Sequence, residues 1–317
     1  MSVSVKGGSL KTPRGRRKMR SSYLIIYVVL CSFMFASCGE SKVDDHRIVC
    51  VTIEPLRMFT ETIAGDRFEV VSIVPIGSSP ETYDPAPQQL ITLAHSEAYF
   101  MAGYLGFELN WIDNLKENNP GLPFFDTSVG IDLLQLESGG DGSSSPAIMN
   151  DSGHTGHNHV GGVEPHVWNS AKNALIIADN ICRGLTEIDP MNAEEYTHHA
   201  DSLKQVIRQT DAQIRKLISD TGASFLIYHP ALSYFARDYG LHQISIEENG
   251  KEPSPSQLQH LIEQCRKENV KVIFVQQEFD VRNAELIAKE LGVEAIRINP
   301  LSYDWPEEMI RIANAIK

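Results

Sequence analysis

The chain has 317 residues, 42% of them apolar, and a formal charge of −13, which is enough length and apolar content for two domains of ordinary size. All seven cations before residue 38 (Lys6, Lys11, Arg14, Arg16, Arg17, Lys18 and Arg20) fall where there is no acid, so the other 280 residues carry −20, and that excess excludes a basic nucleic-acid surface on the folded part. No Walker A, G-x-G-x-x-G or G-x-S-x-G pattern occurs, which argues against the commonest nucleotide-binding and serine-hydrolase chemistries. An acidic chain of this kind suits cations or a solvated secreted surface.

The basic stretch to Arg20 is followed by Tyr23 to Phe35, thirteen uncharged and mostly apolar residues. This three-part layout predicts a signal peptide over residues 1–37, with Met19 a plausible true start. The apolar run is too short for a permanent span, which needs about 20 residues. Phe35-Ala36-Ser37-Cys38 resembles a bacterial lipobox, which implies cleavage before Cys38 and a lipid thioether on its sulfur; a plain signal peptide with an incidental Cys is the alternative. Residues 38–47 form an acidic tether. With Cys31 removed and Cys38 lipidated, Cys50, Cys182 and Cys265 remain. No C-x-x-C pair exists, so a thiolate zinc cluster is excluded on spacing. Export permits one disulfide among the three, without selecting a pair, and ordinary burial of all three is the alternative.

The folded part alternates short β-rich runs with amphipathic stretches. Strands are predicted at Ile48–Ile53, Phe68–Val74 and Ala98–Met101, with helices at Leu56–Ala64 and Pro87–Ala94. Two helical segments follow, Ser170–Leu185 and a longer one from Asp189-Pro190 to about Ser219, with Asp189 as N-cap and Pro190 in the first turn. The alternation resumes with strands at Phe225–Tyr228, Gln243–Ile246, Val270–Val275 and Ala295–Ile298, and helices at Ser256–Glu268, Val281–Leu291 and Pro306–Ile316. Both halves read as parallel βα units. A helix of about 30 residues is about 45 Å long, enough to run along two lobes as a stiff strut. The expected fold is α/β: an N-terminal lobe (48–188), a linker helix (189–220) and a C-terminal lobe (221–317). In such sheets ligands bind beyond the carboxyl ends of the strands, here in a cleft between lobes.

Four places at the ends of apolar runs offer metal-type side chains. Glu81 lies in the Gly/Pro loop Pro75 to Pro85 after the second strand. His166 sits in Glu164-Pro165-His166-Val167-Trp168, just before a helix. His229 is the first polar residue after the strand Phe225–Tyr228. Asp304 is the only acid in Asn299-Pro300-Leu301-Ser302-Tyr303-Asp304, after the last strand. Two imidazoles and one or two carboxylates from distant segments are the inventory of a zinc or related divalent site.

These segments, with Ile63-Ala64-Gly65-Asp66, Pro80-Glu81-Thr82-Tyr83-Asp84-Pro85, His229-Pro230-Ala231-Leu232-Ser233-Tyr234-Phe235-Ala236 and Gly250-Lys251-Glu252-Pro253-Ser254-Pro255, resemble the zinc/manganese-type solute-binding lipoproteins of ABC transporters, specifically the ZnuA-like branch. The resemblance covers nearly everything from Val49 to the C-terminus. It implies two four-stranded, mainly parallel sheets joined by one rigid helix, with the metal between the lobes and a membrane permease as partner. It also implies a monomer anchored through Cys38 on the extracytoplasmic side of a membrane. Carried over by residue, two ligands fall on His166 and His229. The family's first ligand is normally a His in Pro-His-x-Tyr, and that place holds Glu81: either Glu81 ligates as a carboxylate, or the site is one protein ligand short and water completes it. The fourth position varies in the family; the nearest acid is Asp304, offset from the aligned Leu301. Zinc is the expected metal, with Mn2+ or Fe2+ the alternatives.

A Gly/Ser-rich loop, 138–162, contains His154, His157 and His159, three imidazoles within six residues. Its composition cannot build a core; the resemblance implies a metal-collecting loop beside the cleft. His95, His198, His199, His242 and His260 lack local partners and read as surface or packing residues. A metallohydrolase would present a similar set, but no H-E-x-x-H occurs and no second acid is placed as a general base. A lipid-anchored adhesin would fit the anchor and the acidic surface but needs no metal.

Overall fold

The computed structural model describes residues 1–4, 7, 47–136, 162–219, 222–247 and 253–316. All of the expected signal peptide but residues 1–4 and 7, together with Cys38 and the loop histidines His154, His157 and His159, lies outside the described residues. The chain divides into two units, 1–45 and 46–317; the fold below is that of the second. Among the described residues no helix is long and apolar enough to cross a membrane.

Four strands, β1 (Ile48–Val51), β2 (Glu69–Ser72), β3 (Ala98–Met101) and β4 (Phe124–Asp126), form the first sheet in the order β2-β1-β3-β4. Four more, β5 (Ser224–Ile227), β6 (His242–Ser245), β7 (Val272–Gln276) and β8 (Glu294–Ile298), form the second in the order β6-β5-β7-β8. Every pairing within both sheets is parallel. The two lobes therefore repeat one topology, and in each the chain reverses direction across the sheet beside its first strand. Sheets buried on both faces require nearly continuous apolar strands, as in Ile48-Val49-Cys50-Val51 and Val272-Ile273-Phe274-Val275.

Helices α1 (Glu54–Ala64), α2 (Pro87–Ala94), α3 (Gly106–Asn118) and α4 (Ala171–Ile188) accompany the first sheet. Helices α6 (Ser233–Tyr239), α7 (Pro255–Lys267), α8 (Arg282–Leu291) and α9 (Trp305–Ile316) accompany the second. The long helix α5 (Ala193–Leu217) joins the lobes. Its buried side chains, Tyr196, Ala200, Leu203, Ile207, Thr210 and Ile214, recur at steps of three and four and so form one stripe. That stripe packs on α1 and α4 at one side and on α9 at the other. The expected strut is shorter than its sequence suggested: 25 residues, or about 37 Å. It is preceded by a 3-10 turn, Pro190–Asn192, in which Asp189 accepts side-chain bonds from Asn192, Tyr196 and Arg47 instead of capping the backbone.

One apolar core runs from the first sheet (Val49, Phe100) through Trp168 and Tyr196 to the inner face of the second (Phe225, Phe274) and Trp305; a smaller one fills the outer face of the second sheet. Trp168 donates its indole N–H to Pro300 O, and Trp305 donates to Trp168 O, both at 2.8 Å. Two fully buried indoles are thus tied reciprocally across the lobes with no polar atom left over. Cys50, Cys182 and Cys265 are all free thiols, Cys50 and Cys265 buried and Cys182 half-buried, and desolvation pushes Cys50 and Cys265 up to about 11.

Helix α4 lies so close to the first sheet that a Cβ on Gly184 would sit 2.5 Å from the Phe100 ring and 3.0 Å from Phe125. Replacing Gly by Ala inside a helix gains about 1 kcal/mol of intrinsic preference, whereas forcing a methyl into a packed core costs about 1–3 kcal/mol. Because Phe100 is fully buried, overpacking dominates. Gly184→Ala should lower the melting temperature by about 2–6 °C, measured by calorimetry; an unchanged or higher value would mean that the helix stands further from the sheet.

Candidate metal centre

Three residues from three separate segments converge. Glu81, His166 and His229 each offer a ligand atom, and these atoms all lie within 4.8 Å of one another. His166 Nε2 stands 3.2 Å from His229 Nε2 and 3.8 Å from Glu81 Oε1. They border a small cavity of about 30 Å³ whose walls include Trp168, Phe279 and Leu301, and no Lys or Arg is among its described lining residues.

Glu81 is held by an unusual approach of two backbones. The Pro75–Pro85 loop makes turns at Ser78 and Thr82, and Pro80 O accepts the Phe107 N–H at 2.9 Å. This brings Glu81 onto the first turn of α3, where Gly106 N–H donates to Glu81 Oε2 at 3.1 Å, a favourable place for a carboxylate. The other oxygen, Oε1, is buried and has no hydrogen-bond partner; it is the one facing His166. A buried acceptor left unpaired costs stability unless something cationic meets it.

His166 is 5% exposed. Its Nδ1 is hydrogen-bonded to Glu164 Oε1 at 2.5 Å, and the same oxygen accepts the His166 backbone N–H. Glu164 is locked in turn by Ser233 and, through its carbonyl, by the Tyr234 hydroxyl. Burial alone would lower the His166 imidazole, but the charge and hydrogen bond of Glu164, with Glu81 and Glu247 behind them, outweigh it and raise the group above its usual value. His229 follows β5, on the boundary with β7 where the second sheet changes winding direction, the place at which parallel sheets bind ligands. Its backbone is held twice by the Gln276 side chain, its Nδ1 meets Glu247 Oε1 at 2.7 Å, and its ring stacks on Phe279 with centroids 5.3 Å apart.

Asp304 stands apart from this group. The segment after β8 turns Leu301 toward the cavity and sends Tyr303 to Glu61, with 2.6 Å between the hydroxyl and a carboxylate oxygen, leaving Asp304 exposed at the start of α9. The expectation of Asp304 as a site residue is corrected on that ground. His95, His198, His199, His242 and His260 also lie outside the group, as expected; His199 bonds Ile63 O and His242 bonds Glu268. Sequence reasoning missed Glu164 and Glu247 as supports. A signal for Glu247 was present, because it stands two residues past β6, at the same sheet edge at which His229 stands two residues past β5.

Residues 49–317 match the family model described as "Zinc-uptake complex component A periplasmic". The chain belongs to this family. It is a solute-binding protein of the metal ABC transporter class and not an enzyme. It is 27% identical to a metal ABC transporter substrate-binding lipoprotein of Lactococcus lactis, over 85% of each chain. It is 26% identical to the manganese ABC transporter substrate-binding lipoprotein PsaA of Streptococcus pneumoniae, over 87% of this chain and 88% of that one. It is also 27% identical to the zinc-binding protein AdcA of Streptococcus pyogenes, over 86% of this chain and 53% of that one. Among solved structures, the crystal structure of ZnuA superposes with a TM-score of 0.75 at 31% identity, covering 86% of this chain and 98% of the other.

The seat of Glu81 has a direct test. A Cβ on Gly106 would stand 2.4 Å from Glu81 O and 2.9 Å from its Oε2, so Gly106→Ala must push the loop off α3. Zinc affinity, measured by competition calorimetry, should fall about 10–100-fold, the usual scale for losing a supporting contact. An unaltered dissociation constant would remove Glu81 from the site.

Proposed function

We propose that this protein captures one divalent transition metal, zinc in preference to manganese or iron, through Glu81, His166 and His229, and delivers it to an ABC permease from the extracytoplasmic face of a membrane to which lipid on Cys38 anchors it. One observation carries the reading. Both Nδ1 atoms are committed to carboxylates, so both Nε2 lone pairs converge at 3.2 Å, where only a proton or a metal relieves their repulsion. Two nitrogens bound tetrahedrally at 2.0–2.1 Å from a zinc stand about 3.3 Å apart. The carboxylate partner behind each imidazole is the arrangement that orients metal-bound histidines. Capture breaks no covalent bond; the imidazoles give up a proton and the metal takes its place.

Manganese is the second reading, favoured by Glu81: a carboxylate in place of an imidazole hardens the site, and PsaA is named as a manganese protein. The divalent series runs from manganese up to zinc for a given ligand set, which supports zinc. Metal analysis of protein purified without chelator or added salts, followed by competition titrations with both ions at pH 7.5, decides between them. His166→Ala and His229→Ala should each weaken zinc binding by several orders of magnitude while leaving the lobes folded. Glu81→His should widen the zinc-over-manganese ratio, and a parent that prefers manganese would overturn the zinc assignment.

Affinity should also fall with pH. Each imidazole must bind metal through a nitrogen that a proton can occupy, so acidification costs about tenfold per pH unit for each proton displaced. His166 is raised above its ordinary value; the loss therefore begins above the 6.5 of a free imidazole. Zinc titrations from pH 8 to 5 check this, and a flat profile would exclude His166 as a ligand.

A further inference from the structure

The three-ligand group leaves one feature of its own cavity unexplained. Glu278, in the turn after β7, lines the same cavity as Glu81, His166 and His229. Its Oε1 is buried without a hydrogen-bond partner. Of the four such side-chain atoms among the described residues, two are the carboxylate oxygens of Glu81 and Glu278, one from each lobe, on the walls of one small cavity. An isolated loop acid would ordinarily turn to water, and burying an unpaired carboxylate oxygen is costly.

The turn that carries Glu278 is fastened to His229 on both sides. Gln276 clamps the His229 backbone through its N–H and its carbonyl, and Phe279 stacks on the imidazole. Glu278 lies between these two anchors and cannot move away from His229 without breaking one of them. Its oxygens lie outside the 4.8 Å group, so reaching the ion takes a side-chain rotation on a fixed backbone.

We propose that Glu278 is the fourth protein ligand, recruited by the metal, and with it the second carboxylate of the site. This rests on the proposed function above and deepens it. It fills the position for which Asp304 was expected, from a different loop of the same lobe. With Glu81 and Glu278 both ionised, the ligand atoms themselves would match the charge of a dication, in addition to the negative charge of Glu164 and Glu247 behind the imidazoles.

The test uses Glu278→Gln and Glu278→Ala beside the parent, with zinc, manganese and cobalt as probes. Both variants should keep the parent's circular dichroism, with a metal-free melting temperature no lower than the parent's, because a costly unpaired carboxylate is removed. Zinc affinity should fall about tenfold or more, and manganese affinity by a larger factor, because manganese depends more on carboxylate oxygen. The visible absorption of bound cobalt should change in Glu278→Ala, which reports a changed coordination shell. Parent-like dissociation constants for both ions would overturn the proposal, and so would weakened binding with an unchanged cobalt spectrum, which would make Glu278 an electrostatic neighbour and not a ligand. A parent that binds no metal would instead overturn the proposed function, so the two failures are distinct.

Discussion

Everything at this site depends on how two imidazoles are held. Each points Nε2 inward because its Nδ1 is bonded to a buried carboxylate, Glu164 for His166 and Glu247 for His229. Burying a carboxylate is unfavourable unless it is paired, and at Glu164 the pairing is strong enough to hold the acid below its ordinary range despite burial. The price of placing these acids inside the fold is met by the histidines, and the histidines gain one fixed tautomer. Rotating either ring would strand both a buried oxygen and a ring nitrogen. The donor atoms are therefore in place before any ion arrives, which reduces the ordering a cation must impose on the site.

The lobes that supply these side chains are joined by more than α5. Ser233 and Tyr234 of the second lobe bond Glu164 of the first, Asn169 donates to Ala231 O, and the two indoles cross at Pro300 and Trp168. One apolar core passes beneath them. At about 1 kcal/mol net for each hydrogen bond, plus the burial of two tryptophans, swinging the lobes apart would cost a large share of the 5–15 kcal/mol that typically stabilises a domain. The Glu81 loop, by contrast, is held to α3 by a few hydrogen bonds and the Tyr83–Phe107 ring contact. Displacing that loop would therefore cost far less than separating the lobes.

Most of the fold was readable in the sequence because its signals are local. The β-branched runs of β1 and β7, the apolar run of β5 and the three-and-four spacing in α1 and α5 mark strands and helices without reference to the rest of the chain. The elements that escaped are those whose signal is weak or short: β4 has three residues, α6 has seven, and α3 buries only Phe107, Glu108 and Leu115 and lacks a capping side chain. Strut length was overread because Pro190 opens a 3-10 turn and not the helix itself. At the site, Glu81, His166 and His229 stood out because each follows an apolar run or interrupts one. Glu164, Glu247 and Glu278 did not: an acid is recognised as a support by what it touches, and although Glu164 lies only two residues from His166, Glu247 meets a histidine that follows a neighbouring strand.

That difference also explains the misplacement of Asp304. Sequence order places the acid nearest to the aligned position at 304, but the turn after β8 exposes alternate side chains to the cavity, to Glu61 and to solvent in succession, and an offset of three residues decides which. Leu301 takes the cavity, and an apolar side chain there excludes water from one wall without donating to an ion. With that wall apolar, negative charge reaches the cavity from the loop after β2 and the turn after β7. These two segments lie on opposite lobes, so a dication held between Glu81 and Glu278 would add an electrostatic tie to the hydrogen bonds and core already joining them. Between partly buried groups such a tie is stronger than between exposed ones, and it would make the occupied protein more resistant to separation of the lobes than the empty one, to an extent that grows with the logarithm of metal concentration over the dissociation constant.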